Sequence, residues 1–236
     1  MTGGLNAQFA PFDATRKPHP AVLAATQQML SMRIEEHEFF ALATGRRDML
    51  QLWVSQELFV TNPFSELLLG LARRVANVHL RSLVVLVATG EHSSVRHGVA
   101  TRSHPWLLWQ LALKMGLAPE EAVELRGTAW FRETLRDHCS RSDVAAVGAL
   151  GVGNEALLVP EYGRMLTVFE STWPEVNASH FLDANIREDA THAQLMEQLA
   201  SVLLYEGASE NEYLVAANAA VRARIEYYDM LATFAK

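Results

Sequence analysis

Cysteine is almost missing from this 236-residue chain, which carries one, Cys139. A lone thiol excludes an internal disulfide and any zinc or iron–sulfur centre built from cysteines, and it fits a reducing cytoplasm. Long apolar runs are missing too. The longest candidate, Leu83 to Ala88, falls far short of the roughly 18 residues that a membrane helix needs. No block of lysine and arginine stands out. A formal net charge of −7 argues against nucleic acid or an anionic membrane as the main partner. Residues 1–20 carry Gly, Pro and Asn instead of the apolar core of a signal peptide, so no leader is expected. Repeats, low-complexity tracts and long linkers are absent. These absences leave a soluble, cytoplasmic globular protein as the expectation.

Strand signals are also scarce. The one β-branched run, Leu83-Val-Val-Leu-Val, lacks period-two alternation and continues a helical pattern from Arg73. Apolar periodicity predicts helices over 20–34, 36–44, 47–70, 72–91, 104–116, 119–138, 143–173, 178–206 and 209–234. Ser103 before His104-Pro105 is a start signal, because serine caps a first turn and proline is tolerated there. The acids after Pro119 and Ser209 suit helix N-termini. Gly45, Gly116 and Gly207 are stop signals. The expectation is an all-α fold: a loose segment 1–18, then a single domain over 19–236 of about eight helices.

Plotting each helix at about 100° per residue exposes polar groups on apolar faces. In 178–206 one stripe holds Phe181, Leu182, Asn185, Asp189, His192, Met196, Leu199 and Leu203. An unpaired buried carboxylate is costly, so Asp189 and His192 need partners or a metal. In 143–173, Glu155 shares a stripe with Val144, Gly148, Gly151, Val159, Tyr162, Leu166 and Phe169. Gly148, Gly151 and Gly153 each cost about 1 kcal/mol of helix stability relative to alanine. Their presence implies close approach of a neighbour, or a cavity beside Glu155. Tyr162 on that face packs the core, serves as a redox residue or walls a substrate pocket. Glu91 ends the stripe Leu80, Val84, Val87. An acid at a helix C-terminus opposes the helix dipole and calls for a nearby cation. His104 opens the stripe Leu107, Leu108, Leu111, Met115. Four helices thus aim a carboxylate or imidazole inward.

The order of these features resembles the heme-oxygenase-like superfamily, and within it the non-heme diiron oxidases and oxygenases. Three segments carry the likeness. The first is Gly90-Glu91-His92 followed by Ser103-His104-Pro105-Trp106-Leu107-Leu108 and Lys114-Met115-Gly116-Leu117. The second is Gly153-Asn154-Glu155. The third is Phe181-Leu-Asp-Ala-Asn185-Ile-Arg-Glu-Asp189-Ala-Thr-His192, which is similar to a late H-x3-D-x2-H helix.

The resemblance implies a heme-oxygenase-like helical bundle with Glu91, His104, Glu155, Asp189 and His192 as ligands of ferrous iron. It further implies dioxygen as co-substrate and a small amino-acid- or fatty-acid-derived substrate. Carboxylates and imidazoles hold iron while leaving positions open for oxygen and substrate. One departure matters. Asn185 stands where the family motif has histidine, and a neutral amide is a poor iron ligand. Two irons with one labile site are therefore expected. Glu188, about 60° around the helix from Asn185, is a substitute ligand, and His92 or His97 could replace Glu91. Two other readings remain. One is a metal-independent enzyme of the same fold, like the thiaminase II-type hydrolases or the cofactorless quinone-cofactor oxidase. The other is a non-catalytic binding protein with a degenerate site. The partner expected is a small molecule, and a homodimer is the assembly considered.

Overall fold

The computed structural model describes residues 8–13, 15–92, 95–96, 99–100 and 103–235, with backbone only at 95–96 and 99–100. Its helices are α1 (Pro20–Ser31), α2 (Glu38–Ala43), α3 (Arg47–Arg74), α4 (Val78–His92) and α5 (His104–Lys114), then α6 (Arg126–Arg141), α7 (Asp143–Thr172), α8 (Ser179–Tyr205) and α9 (Glu210–Thr233). A two-residue antiparallel pair, Val95–Arg96 with Val99–Ala100, lies between α4 and α5. The architecture is all-α, with α7 packed against α8 and α9.

Local chemistry sets the helix ends. The Ser103, Ser142 and Ser209 hydroxyls each accept from a backbone N–H in the turn that follows. Gly45, Gly116 and Gly207 take positive φ values that an L side chain resists, and they end helices as expected. The break between α3 and α4 falls seven residues beyond Gly70, at Asn77. There the Asn77 side chain accepts from the His79 and Leu80 amides, whereas Gly70 continues the helix. The helix expected over 119–138 is instead a short 3₁₀ turn at Pro119–Glu121, followed by α6. Gln56 of α3 accounts for this split, because its amide group bonds the Val123 carbonyl, the Leu125 amide and the Thr128 hydroxyl. In the segment expected to be loose, the Ala10 carbonyl accepts from Asn77 and the Arg16 guanidinium lies 3.3 Å over the Tyr205 ring.

The central helix, α7, is apolar and long enough to cross a membrane, but 78% of its apolar window is buried inside the protein. Between Gly148 and Glu155 it widens into a π-helix, a rare form that often marks functional sites. The three glycines serve close packing. A Cβ on Gly148 would meet the Tyr213 carbonyl at 2.5 Å, one on Gly151 would meet Met196 at 3.0 Å, and one on Gly153 would collide with Ala220. The conformational cost of glycine is offset by the approach of α8 and α9 to the widened turn, which carries Glu155 into the core.

Candidate metal centre

Four elements deliver the polar residues. Glu91 is the penultimate residue of α4, His104 the first of α5, Glu155 the last of the π segment, and Asp189 and His192 share one face of α8. All five are buried, and Glu155 is 0% exposed. Ligand atoms of Glu91, Glu155, Asp189 and His192 lie within 4.8 Å of one another. His192 Nδ1 is 3.4 Å from Glu91 Oε1, 3.4 Å from Glu155 Oε2 and 3.8 Å from Asp189 Oδ1.

The orientations are poor for hydrogen bonding. Both Glu155 oxygens, Asp189 Oδ2 and His192 Nδ1 are buried without a hydrogen-bond partner among the described residues. Such orphans cost about 1–3 kcal/mol each. Ligand bonds of about 2.0–2.2 Å place donors on one ion roughly 3–4 Å apart, close to the spacing observed. Three carboxylates and an imidazole converging in this way fit ferrous iron by donor type and by geometry.

His104 stands beside this group and is not among the four converging donors. Its Nδ1 pairs with Glu91 Oε2 at 3.0 Å. On the opposite side of the ring, His104 Nε2 and Glu188 Oε2 are 3.3 Å apart, and neither makes a hydrogen bond. Glu188 is half-buried, so it reaches the cluster from the solvent side of α8. Asn185 lines the same cavity and uses its amide to donate to the Phe181 carbonyl at 2.7 Å. Helix α8 itself therefore engages that amide. His92 is exposed, and His97 lies outside the described residues. Tyr162 does line the cavity, with its hydroxyl turned away to donate to Glu57 Oε2 at 3.0 Å. Sequence reasoning missed Asn154, whose buried Oδ1 is unpartnered beside Glu155. Its signal was adjacency to Glu155 among the glycines.

The electrostatics follow from burial and mutual charge. Burial pushes the Glu91 carboxyl up, but His104 and His192 outweigh it and bring the value to about 2. These imidazoles are the cations that an acid at the α4 C-terminus requires. Burial opposes charging of His192, yet Glu155 and Glu91 raise it to about 10. His104 is likewise raised well above its ordinary value against its burial, chiefly by Glu91 and Glu188. Burial raises Glu155 and Asp189, and neighbouring carboxylates raise both further. Metal must displace protons from this cluster. Iron affinity should therefore climb with pH between 6 and 8, by about tenfold per unit for each proton released. Competition titrations at several pH values would measure that slope.

The cavity among these groups has a volume of about 20 Å³, room for an ion or a water. Gly90 keeps it so. A Cβ at position 90 would run into the His192 imidazole at Nε2 and Cε1. Gly90→Ala is expected to displace that ring and weaken iron binding by at least about tenfold while helix content is retained. Circular dichroism paired with metal titration checks this.

Comparison with known proteins agrees with the architecture. The fold is shared with a CADD-like protein of unknown function from Nostoc punctiforme PCC 73102, at 17% identity and a TM-score of 0.71, covering 91% of this chain and 98% of that one. It is also shared with a TenA homolog from Pseudomonas syringae pv. tomato str. DC3000, at 10% identity and a TM-score of 0.68, covering 96% and 98%. Among curated proteins, none matches the sequence. Residues 51–226, a span that contains all four converging side chains, match the family described as iron-containing redox enzymes. By that match the chain belongs to the family of iron-containing redox enzymes.

Proposed function

We propose that this protein is a non-heme iron oxidase or oxygenase that activates dioxygen to oxidise a small amino-acid- or fatty-acid-derived metabolite. The observation that carries the reading is the convergence of four buried donors, of which both Glu155 oxygens, Asp189 Oδ2 and His192 Nδ1 have no hydrogen-bond partner among the described residues. Glu91, Glu155, Asp189 and His192 would hold one iron. A second, weaker position would use His104 Nε2 and Glu188 Oε2, with Glu188 supplying the ligand that Asn185 does not. Iron, when bound, supplies the reduction of dioxygen and the oxidation of substrate.

The chain's own residues supply the rest. The His104 imidazole, bonded through Nδ1 to Glu91, fixes the Glu91 carboxylate and presents Nε2 to the Glu188 side. Val60, Phe64 and Leu158 wall the cavity and exclude water. Room for an organic substrate is offered by a cavity of about 220 Å³ between α3 and α5, lined by Leu58, Phe59, Leu108 and Trp109. It shares Thr61 with the ionic cavity, so Thr61 would border the path between the two.

Anaerobic titration with ferrous iron is the test. The expected result is one tight and one weak equivalent, with the weak one lost in Glu188→Gln. Failure to bind any iron at pH 8 would discard the reading in favour of metal-independent chemistry.

A further inference from the structure

Behind the iron cavity lies a second buried ionic group that the proposed chemistry does not use. Arg224 reaches Glu57 Oε1 with Nη2 at 2.7 Å and Glu161 Oε2 with Nε at 3.0 Å, and all three residues are 0% exposed. One cation faces two carboxylates. With both acids ionised, the group carries one uncompensated negative charge in the interior, which stability alone does not favour. Each acid accepts a phenol proton donor. Tyr162 OH donates to Glu57 Oε2 at 3.0 Å, and Tyr228 OH donates to Glu161 Oε1 at 2.7 Å.

The aromatic rings form a line. Tyr162 borders the iron cavity. The Trp53 ring stands edge-on to Tyr162 with centroids 5.8 Å apart. Trp53 Nε1 donates to Tyr228 OH at 3.1 Å. Tyr228 lies 5.7 Å from the His37 ring, and His37 Nε2 is 3.1 Å from Asp229 Oδ1, whose side chain is 63% exposed. Easily oxidised side chains thus run in contact from the cavity to Tyr228, and His37 and Asp229 lie between Tyr228 and the surface. Both phenols have a buried base in hydrogen-bonding range.

We propose that Tyr162, Trp53 and Tyr228 form a one-electron relay between the iron cavity and the surface at His37, with Glu57 and Glu161 as proton acceptors. The inference rests on the iron reading. The Tyr162 phenol gives up one electron to the oxidised iron that Glu91, Glu155, Asp189 and His192 would hold. The phenol O–H bond breaks and its proton forms a new O–H bond at Glu57 Oε2. The product is a neutral phenoxyl radical beside a neutral carboxylic acid, and the iron is reduced by one electron. The ionic group then passes from a net charge of minus one to zero, so the excess buried charge is removed by the oxidation. Tyr228, through Trp53, returns an electron to Tyr162 as Glu57 returns the proton, and the Tyr228 proton passes to Glu161. A one-electron reductant such as ascorbate restores Tyr228 from the His37 side.

The experiment uses full-length protein loaded anaerobically with ferrous iron, mixed with dioxygen without substrate, freeze-quenched and examined by electron paramagnetic resonance. A transient radical that narrows when ring-deuterated tyrosine is incorporated is the expected signal. Tyr162→Phe should lose it while retaining helix content and iron occupancy. In Trp53→Phe the radical should persist, because ascorbate no longer quenches it efficiently. Iron oxidation without any radical, or an unchanged signal in Tyr162→Phe, overturns the relay and leaves the iron reading standing. A protein that binds no iron, or whose iron does not react with dioxygen, overturns both.

Discussion

Glu155→Gln is expected to abolish tight iron binding and to raise the melting temperature of the metal-free protein. Both carboxylate oxygens of Glu155 are fully buried and unpartnered, so the native state without metal bears the cost of dehydrating them. A neutral amide of the same shape removes the charge and avoids opening a void. The gain should be about 1–3 kcal/mol, or roughly 2–12 °C for a chain of this size. The pH dependence gives an independent check. Burial, reinforced by Glu91, raises the folded-state pKa of Glu155 above its ordinary 4.5, against the contrary pull of His192 and His104. A carboxyl with a raised folded pKa costs stability once pH exceeds the unfolded value, and the cost grows until the folded pKa is passed. The advantage of glutamine should therefore be largest near neutral pH and vanish at pH 4. Melting curves of both proteins at pH 4 and 7 measure it. A variant that binds iron as tightly as the parent would reassign Glu155 to packing or substrate contact.

Arg224→Met should have the opposite and larger effect on stability. Methionine matches much of the arginine volume and leaves Glu57 and Glu161 facing each other with no cation. Breaking a buried pair in this way costs about 3–5 kcal/mol, equivalent to a fall of roughly 6–20 °C in melting temperature. Burial already raises the Glu57 carboxyl, and the Glu161 charge adds to that rise, while Arg224 holds it down. Removing Arg224 pushes the folded value higher still. The deficit should be complete above that folded pKa and close as pH falls below the unfolded value, where both states bind the proton. Adding Glu57→Gln and Glu161→Gln to Arg224→Met should recover most of the loss, because no buried charge then lacks a partner. Urea titrations at pH 7 and 4.5 distinguish this from simple loss of packing, which would be independent of pH.

The helices and the burial of the cluster were legible in the sequence for one reason. A polar residue in register with apolar ones at helical spacing has to enter the core with them. Asp189 and His192 could not avoid it on the Phe181, Leu182, Met196, Leu199 face, and Glu155 could not on its own stripe. The same logic extends to Glu57 among Trp53, Val60, Thr61 and Phe64, and to Arg224 among Ala220, Val221, Tyr228 and Leu231, although the sequence reading singled out neither. A stripe implies burial, but it does not reveal pairing. Periodicity fixes which face of a helix turns inward and carries no information about the face that it meets. Tertiary packing decided that His104 turns Nδ1 toward Glu91 and presents Nε2 to Glu188, and that four donors converge while Asn185 bonds its own helix. It also decided that α7 widens into a π turn at Glu155. Glycines permit that widening, but only the approach of Tyr213 and Ala220 from α9 and Met196 from α8 defines the space the turn fills.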